Sequence, residues 1–305
     1  MTEPVYFKQA ELMLRILPLI DTENVFAIKG GTAINFFVRD LPRLSVDIDL
    51  TYLPVSDRNA ALEDISKSLM NISAKIERTF PGVKIVHKKL RDSSFLKGMV
   101  VNRDGITVKI EPNLVIRGSI YGPEMKPLSE KAQKVFELTM QIGTLNVAEL
   151  YGGKICAALD RQHPRDLFDV NMMFKHEGLT DTIRKAFIVY LISHPRPMIE
   201  LLNPGLNEMR DVYENEFKGM SIEEVDYDEL VATRDRLVVL LLKSLKPQEK
   251  EFIVSVKSGK PEWGLLELEG IDKLPAVRWK LLNIERMNRT KHEEALNKLR
   301  DYLGA

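Results

Sequence analysis

The run Lys29-Gly30-Gly31-Thr32, followed by Leu44-Ser45-Val46-Asp47-Ile48-Asp49-Leu50, decides how this chain is read. Asp47 stands sixteen residues after Gly31. Just upstream, Phe26-Ala27-Ile28 reads as a short buried strand. The two glycines let the backbone turn sharply and approach a ligand closely. Thr32 is a candidate N-cap, after which Ala33, Ile34, Phe37, Val38 and Leu41 recur at helical spacing until Pro42 ends the helix. Such a helix would point its free amides at whatever lies over the glycines. In the next run Val46, Ile48 and Leu50 alternate with Ser45, Asp47, Asp49 and Thr51, the period of a strand. Both aspartates therefore project from one face, about 6.5–7 Å apart along the strand. That spacing suits a pair of metal ions ~3.5–4 Å apart. Backbone amides for phosphates and paired carboxylates for Mg²⁺ are what phosphoryl chemistry on a nucleoside triphosphate requires.

A third carboxylate comes from a hairpin. Met99-Val100-Val101 and Ile106 to Glu111 flank Asn102-Arg103-Asp104-Gly105, whose Asp-Gly pair is a turn signal. Ile106, Val108 and Ile110 form the apolar face, leaving Thr107, Lys109 and Glu111 on the other. Pro112 is expected to end that strand or mark it as an edge. Carboxylates on facing strands repel, so a cation between Glu111 and the aspartates is the natural explanation.

The rest of the chain organises around this core. An amphipathic helix is expected over 8–20 and a charged one over 57–79. The stretch from Gly118 to Pro127 reads as a crossing into a mostly helical second half. The expected fold is therefore α+β. A nucleotide-binding core with a mixed sheet flanked by helices occupies residues 1–125, and a mostly helical domain occupies 126–305. With 305 residues, 44% hydrophobic and 29% charged, two domains with real cores are affordable. Lys plus Arg and Asp plus Glu are 44 each, so no global charge points to a partner. The single Cys156 excludes an intramolecular disulfide and fits a reducing cytosol. Glu3 and Lys8 interrupt the N-terminus, so no secretory leader is expected, and Leu237–Leu242 is too short to span a bilayer. These features predict a cytoplasmic protein.

Three other chemistries lack their motifs. The five histidines show no zinc-ligand spacing. There is no G-x-S-x-G elbow. Gly152-Gly153-Lys154 lies in a helical pattern without a following Ser or Thr, so it is no phosphate-binding P-loop.

Gly30-Gly31, Asp47-Ile48-Asp49 and the strand ending in Glu111 resemble the minimal core of polymerase-β-like nucleotidyltransferases. Downstream, Glu149 to Arg161 and Pro164-Arg165-Asp166-Leu167-Phe168-Asp169 are similar to the E-x-x-x-x-K…R…R-D-x-x-D region of the AbiEii/AbiGii toxin family. Lys109 to Gly118 has that family's look as well. The resemblance implies a nucleotidyltransferase toxin with a separately encoded antitoxin, in a toxin–antitoxin or phage-defence system. It also implies transfer of nucleotides from NTP to tRNA 3′ ends.

Roles follow from charge and from that resemblance. Asp47, Asp49 and Glu111 are the expected Mg²⁺ ligands, with Glu111 alternatively a general base. Gly30, Gly31, Thr32 and Ser45 are expected at the phosphates. Lys154 is a candidate for the β/γ-phosphate charge, the alternative being a surface lysine. The family pattern places an acid at Asp166 or Asp169, of which Asp166 is favoured; either could instead favour a helix N-terminus. Two basic clusters, seven Lys/Arg in 75–97 and eight in 273–300, could track an RNA backbone or be solvated faces. Trp263 and Trp279 are expected in the core. Two other readings remain: transfer onto a protein hydroxyl, and a catalytically silent NTP-binding module.

Overall fold

The computed structural model describes residues 4–305, so Glu3 lies outside the described residues. In chain order the strands are β1 (Phe26–Lys29), β2 (Asp47–Tyr52), β3 (Lys84–Lys89), β4 (Leu96–Arg103), β5 (Ile106–Asn113), β6 (Pro123–Pro127) and β7 (Gln141–Leu145). The helices are α1 (Pro4–Asp21), α2 (Gly30–Ala33), α3 (Arg58–Thr79), α4 (Glu130–Phe136), α5 (Val147–Arg161), α6 (Pro164–Lys175), α7 (Asp181–Ser193), α8 (Met198–Leu202), α9 (Arg210–Val212), α10 (Tyr227–Ser244), α11 (Pro247–Lys257), α12 (Pro275–Glu285) and α13 (Arg289–Leu303). No helix among the described residues is long and apolar enough to cross a membrane.

The chain forms two compact units, one running to Leu150 and taking in Glu214–Glu224, the other made of Tyr151–Tyr213 and Val225–Ala305. The boundary falls later than the expected 125 because β6 and β7 still belong to the sheet. Segment 214–224 joins the first unit through backbone pairing. Leu44 N–H donates to the Met220 carbonyl at 2.8 Å, and Ile222 N–H to that of Pro42 at 2.9 Å.

In the first unit one mixed sheet runs β3-β4-β5-β2-β1-β7-β6. The β2–β5 pair is parallel and β1–β2 antiparallel. Helices α1 and α3 cover one face of this sheet. α1 buries Leu12, Met13, Leu14, Ile16, Leu17 and Ile20, and α3 buries Leu62, Ile65, Leu69, Ile72 and Ile76 at helical spacing. Asp57 caps α3 by accepting from the Asn59 and Ala60 amides.

Three local expectations are corrected. Pro112 is the next-to-last residue of β5, so it stands at the strand's end as one alternative had it, but in an inner strand opposite Leu50 and not at an edge. Its missing N–H is tolerated because the β4 ladder against β5 stops at Met99–Ile110, before reaching it. The stretch at 118–127 contains the edge strand β6, bounded by Pro123 and Pro127, which prevent further pairing beyond it. The helix after the glycines is short: α2 widens into a π-turn over Ile34–Val38, closed by Arg39 N–H to the Ile34 carbonyl at 2.7 Å.

The second unit is helical, as expected. Gly152 has a packing reason: a methyl group there would lie 2.8 Å from the backbone of Ala186 and Phe187, so glycine lets α5 approach α7 closely. Trp279 departs from expectation, being 52% exposed on α12, whereas Trp263 packs on Phe252 with ring centroids 6.0 Å apart.

Candidate active site

Register places the acidic residues of the first unit together. Along β2 the pattern is half-buried Asp47, buried Ile48, half-buried Asp49, buried Leu50, so the aspartates share the face opposite the core. Asp47 pairs in register with Lys109 and Asp49 with Glu111 on β5, while Lys29 of β1 stands opposite Asp49 on the other side. Extending the register through β4 and β3 adds Lys84 and Lys88 to the same face. Three carboxylates and four lysines therefore share one face.

The glycines fit against this face. Gly30 adopts φ +68°, and a methyl group on it would come 2.7 Å from Asp49 Oδ2. A side chain there would be strained by the backbone and would collide with the carboxylate. Gly31 is as crowded: a methyl group would meet Arg43 Nη2 at 2.5 Å and Ser45 Oγ at 3.1 Å. Arg43 is 2% exposed and donates through Nη1 to the Leu44 carbonyl at 2.9 Å.

Thr32 is not the N-cap, a position taken by Lys29 without a side-chain bond. The Thr32 hydroxyl instead donates to the Asp47 carbonyl at 2.6 Å and lies 3.0 Å from Ser45 Oγ. Thr32 and Ser45 are both buried, so they tie the diglycine turn to β2 instead of projecting toward a phosphate.

A divalent cation can be tested against this donor set. Asp47 and Asp49 offer hard carboxylate oxygens on one face, and Asp49 Oδ2 lies where a Gly30 side chain would be. Glu111 does not complete a triad: it pairs with Lys88 Nζ at 3.0 Å. Among the described residues no three His, Cys, Asp or Glu side chains gather into a metal cluster. Two carboxylates suffice for Mg²⁺, which commonly takes one or two together with substrate phosphates and water. The aspartate pair fits such an ion.

Lys154, Asp166 and Asp169 belong to the second unit and form a closed cluster. Lys154 Nζ lies 2.8 Å from Asp166 Oδ1 and 3.0 Å from Asp169 Oδ2, with both carboxylates fully buried and the lysine 7% exposed. Arg161 Nε reaches Asp166 Oδ2 at 2.5 Å. Burial would raise the Asp166 carboxyl, but the Lys154 and Arg161 charges overcome it and hold the group well below the usual carboxylate range. His163 caps α6 by accepting from the Arg165 amide, and Pro164 opens the helix with Asp166 in its first turn. Lys154 is thus not a surface lysine; it neutralises two sealed acids. Glu149, also buried, accepts from the Ser119 hydroxyl and the Tyr121 amide, with burial raising its pKa. Cys156 is buried on α5 and its thiol is pushed up by desolvation, so it is unreactive.

A family model described as nucleotidyl transferase AbiEii toxin, type IV toxin–antitoxin system, matches residues 11–282. The chain belongs to the AbiEii family. It is a nucleotidyltransferase of toxin–antitoxin type, and a cognate antitoxin and an NTP substrate come with that assignment. Among solved structures it is similar to MenT4, a nucleotidyltransferase toxin of Mycobacterium tuberculosis H37Rv. The identity is 14% and the TM-score 0.58, with 97% of this chain and 95% of that one covered. At that identity the likeness shows the fold. No curated protein matches.

Lys29 and Lys84 were not singled out for this face from sequence alone. Hairpin alternation already put Lys109 beside Glu111. Placing Lys29 there required knowing that β1 and β2 pair antiparallel, which no local pattern encodes.

Proposed function

We propose that this AbiEii-family enzyme transfers a nucleotidyl group from an NTP to an RNA acceptor, the 3′ end of a tRNA, at the Asp47/Asp49 face. The observation that carries the reading is the aspartate pair, with Asp49 Oδ2 seated against Gly30, where no side chain fits. The acceptor hydroxyl oxygen attacks the α-phosphorus, the bond to the β-phosphate bridging oxygen breaks, and pyrophosphate leaves. Asp47 and Asp49 would hold Mg²⁺, which would supply charge neutralisation for the triphosphate and the leaving group. Glu111, exposed beside Asp49, takes the acceptor proton. Gly30 and Gly31 let the backbone come close to the phosphates, and Lys29, Lys84, Lys88 and Lys109 attract both polyanions to the face. Lys154 and Asp166 act by holding α5 to α6, a positioning role. The enzyme works in the cytoplasm in a toxin–antitoxin pair with a phage-defence role.

The test is incubation of the full chain with each labelled NTP, Mg²⁺, and total cellular RNA or proteome, with and without EDTA. EDTA-sensitive label on tRNA-sized RNA is the expected result. Label on protein would redirect the activity to a protein hydroxyl. Nucleotide binding without any transfer would make the chain a silent module.

A further inference from the structure

The helical unit contains a cavity that this transfer chemistry does not use. Its volume is about 210 Å³, and Met198, Ile199, Ile284, Met287 and Leu299 supply apolar wall. For comparison, an engineered apolar cavity of about 150 Å³ takes up benzene. The space therefore suits a small molecule.

Two lysines, Lys257 on α11 and Lys280 on α12, belong to the same wall. Lys280 is only 9% exposed. Its Nζ donates to the carbonyl oxygens of His194 at 2.7 Å and Arg196 at 2.6 Å. Two of its three hydrogens are thus used, and these dipoles orient the ammonium without cancelling its charge. The polar contact of Lys257 Nζ is the Met287 sulfur at 3.5 Å. Neither lysine has a carboxylate within ion-pair distance among the described residues. The acid whose field reaches Lys280 is Glu200, and its effect is smaller than the opposing one from Lys257. Glu200 lies 3.8 Å from Arg196.

Buried cations in folded proteins are ordinarily paired. Burial and the neighbouring Lys257 charge lower Lys280 to about 8, which still leaves it mainly an ammonium at neutral pH. A buried ammonium, a second beside it and an apolar chamber together define a ligand by what they lack.

We infer that this cavity binds a small monocarboxylate with an apolar body, its carboxylate meeting Lys257 and Lys280 and its hydrocarbon lying among Met198, Ile284, Met287 and Leu299. A neutral apolar molecule would leave both charges unanswered. A bare inorganic anion would leave the hydrocarbon wall wet.

Octanoate serves as the probe, with 1-octanol and acetate as its two halves, titrated into the full chain carrying ¹³C-methyl methionine. Met198 and Met287 signals should shift saturably with octanoate, at least about tenfold more tightly than with either control, as a charge-assisted contact added to apolar burial requires. In Lys257→Met the preference for octanoate over octanol should shrink severalfold. Octanol or acetate binding as tightly as octanoate would overturn the inference. So would shifts centred on methionines elsewhere, such as Met13 or Met99, or an undiminished acid preference in Lys257→Met. The wild-type arms decide the matter even where a lysine variant folds poorly.

Discussion

On the sheet face of the first unit, Asp47 and Asp49 stand half-buried beside Glu111 and lysines spread across β1, β3 and β5. In the helical unit, Asp166 and Asp169 are sealed against one lysine at 2.8 and 3.0 Å. The same residue types serve opposite ends because solvation differs. The sheet-face acids are half-exposed, so water and a cation can reach them. The sealed acids have given their lone pairs to Lys154 and Arg161, so their charges hold two helices in place. A motif of acids and a lysine therefore does not by itself say which residues touch substrate.

The comparison breaks most sharply at β2. Asp47→Ala or Asp49→Ala should lower nucleotidyl transfer on the order of a thousandfold, since several kcal/mol of charge stabilisation is lost. Thermal stability should stay level or rise, because neighbouring carboxylates repel less. Wild-type turnover in both variants would remove the aspartates from the mechanism.

In the sealed cluster the effects should exchange places. Lys154→Met removes the ammonium shared by two fully buried carboxylates and leaves Asp166 with Arg161, which should cost roughly 3–5 kcal/mol of stability. A fall in the unfolding midpoint without any change in KM for NTP in the surviving folded protein would fit the positioning role. Unaltered stability with a raised KM would return Lys154 to the triphosphate.

Acid should separate the two regions as well. The Asp166 carboxyl is held below its unfolded value of 3.8, so the unfolded chain binds more protons below that point. The stability it contributes is therefore complete at neutral pH, begins to be lost below about pH 5, and continues to fall through the lowered folded value. Asp166→Asn should flatten the acid limb of the stability curve. An unchanged limb would mean that other carboxylates govern acid unfolding.

Much of the open face was legible because strands announce themselves by alternation. Asp47, Asp49, Lys109 and Glu111 fell on the correct side from period-two patterns alone, and the Asp104-Gly105 turn set the hairpin register. Strand β6 was hidden by its own prolines, which signal a linker until a neighbour such as β7 is known. Thr32 and Ser45 looked available because a hydroxyl beside glycines suggests a phosphate contact. Their bonds to Asp47 and to each other depend on how α2 lies on β2. The burial of Lys154 was hidden for the same reason. Its partners lie across the break at Gln162–His163 on another helix, and a lysine's burial depends on the acids it meets there. Lys280 gave no separate signal, since it sat in the 273–300 stretch that scans as a solvated basic face, and Lys257 lay outside both basic stretches.

The smallest expected effects belong to the lysines around the open acids. Lys88 and Glu111 are 34% and 47% exposed, so breaking their pair should change stability by about 0–1 kcal/mol. Lys84→Ala, Lys88→Ala and Lys109→Ala should therefore leave the unfolding midpoint nearly unmoved. If RNA lies across this face, each substitution should still lower the slope of log affinity against log salt by about 0.7–0.9, because one fewer counterion is released. The same substitutions in the other basic stretch, at Arg286, Arg289 and Lys291, supply the contrast. Arg289 already pairs with Glu293 at 3.0 Å, while Lys280 from that stretch is buried in the cavity wall. A slope that responds to the sheet lysines and not to the α12–α13 cations would place the acceptor over Asp47 and Asp49. The reverse pattern would move RNA to the helical unit. A slope indifferent to both sets would leave the sheet lysines as counter-charges for the acids and send the search for an acceptor to proteins.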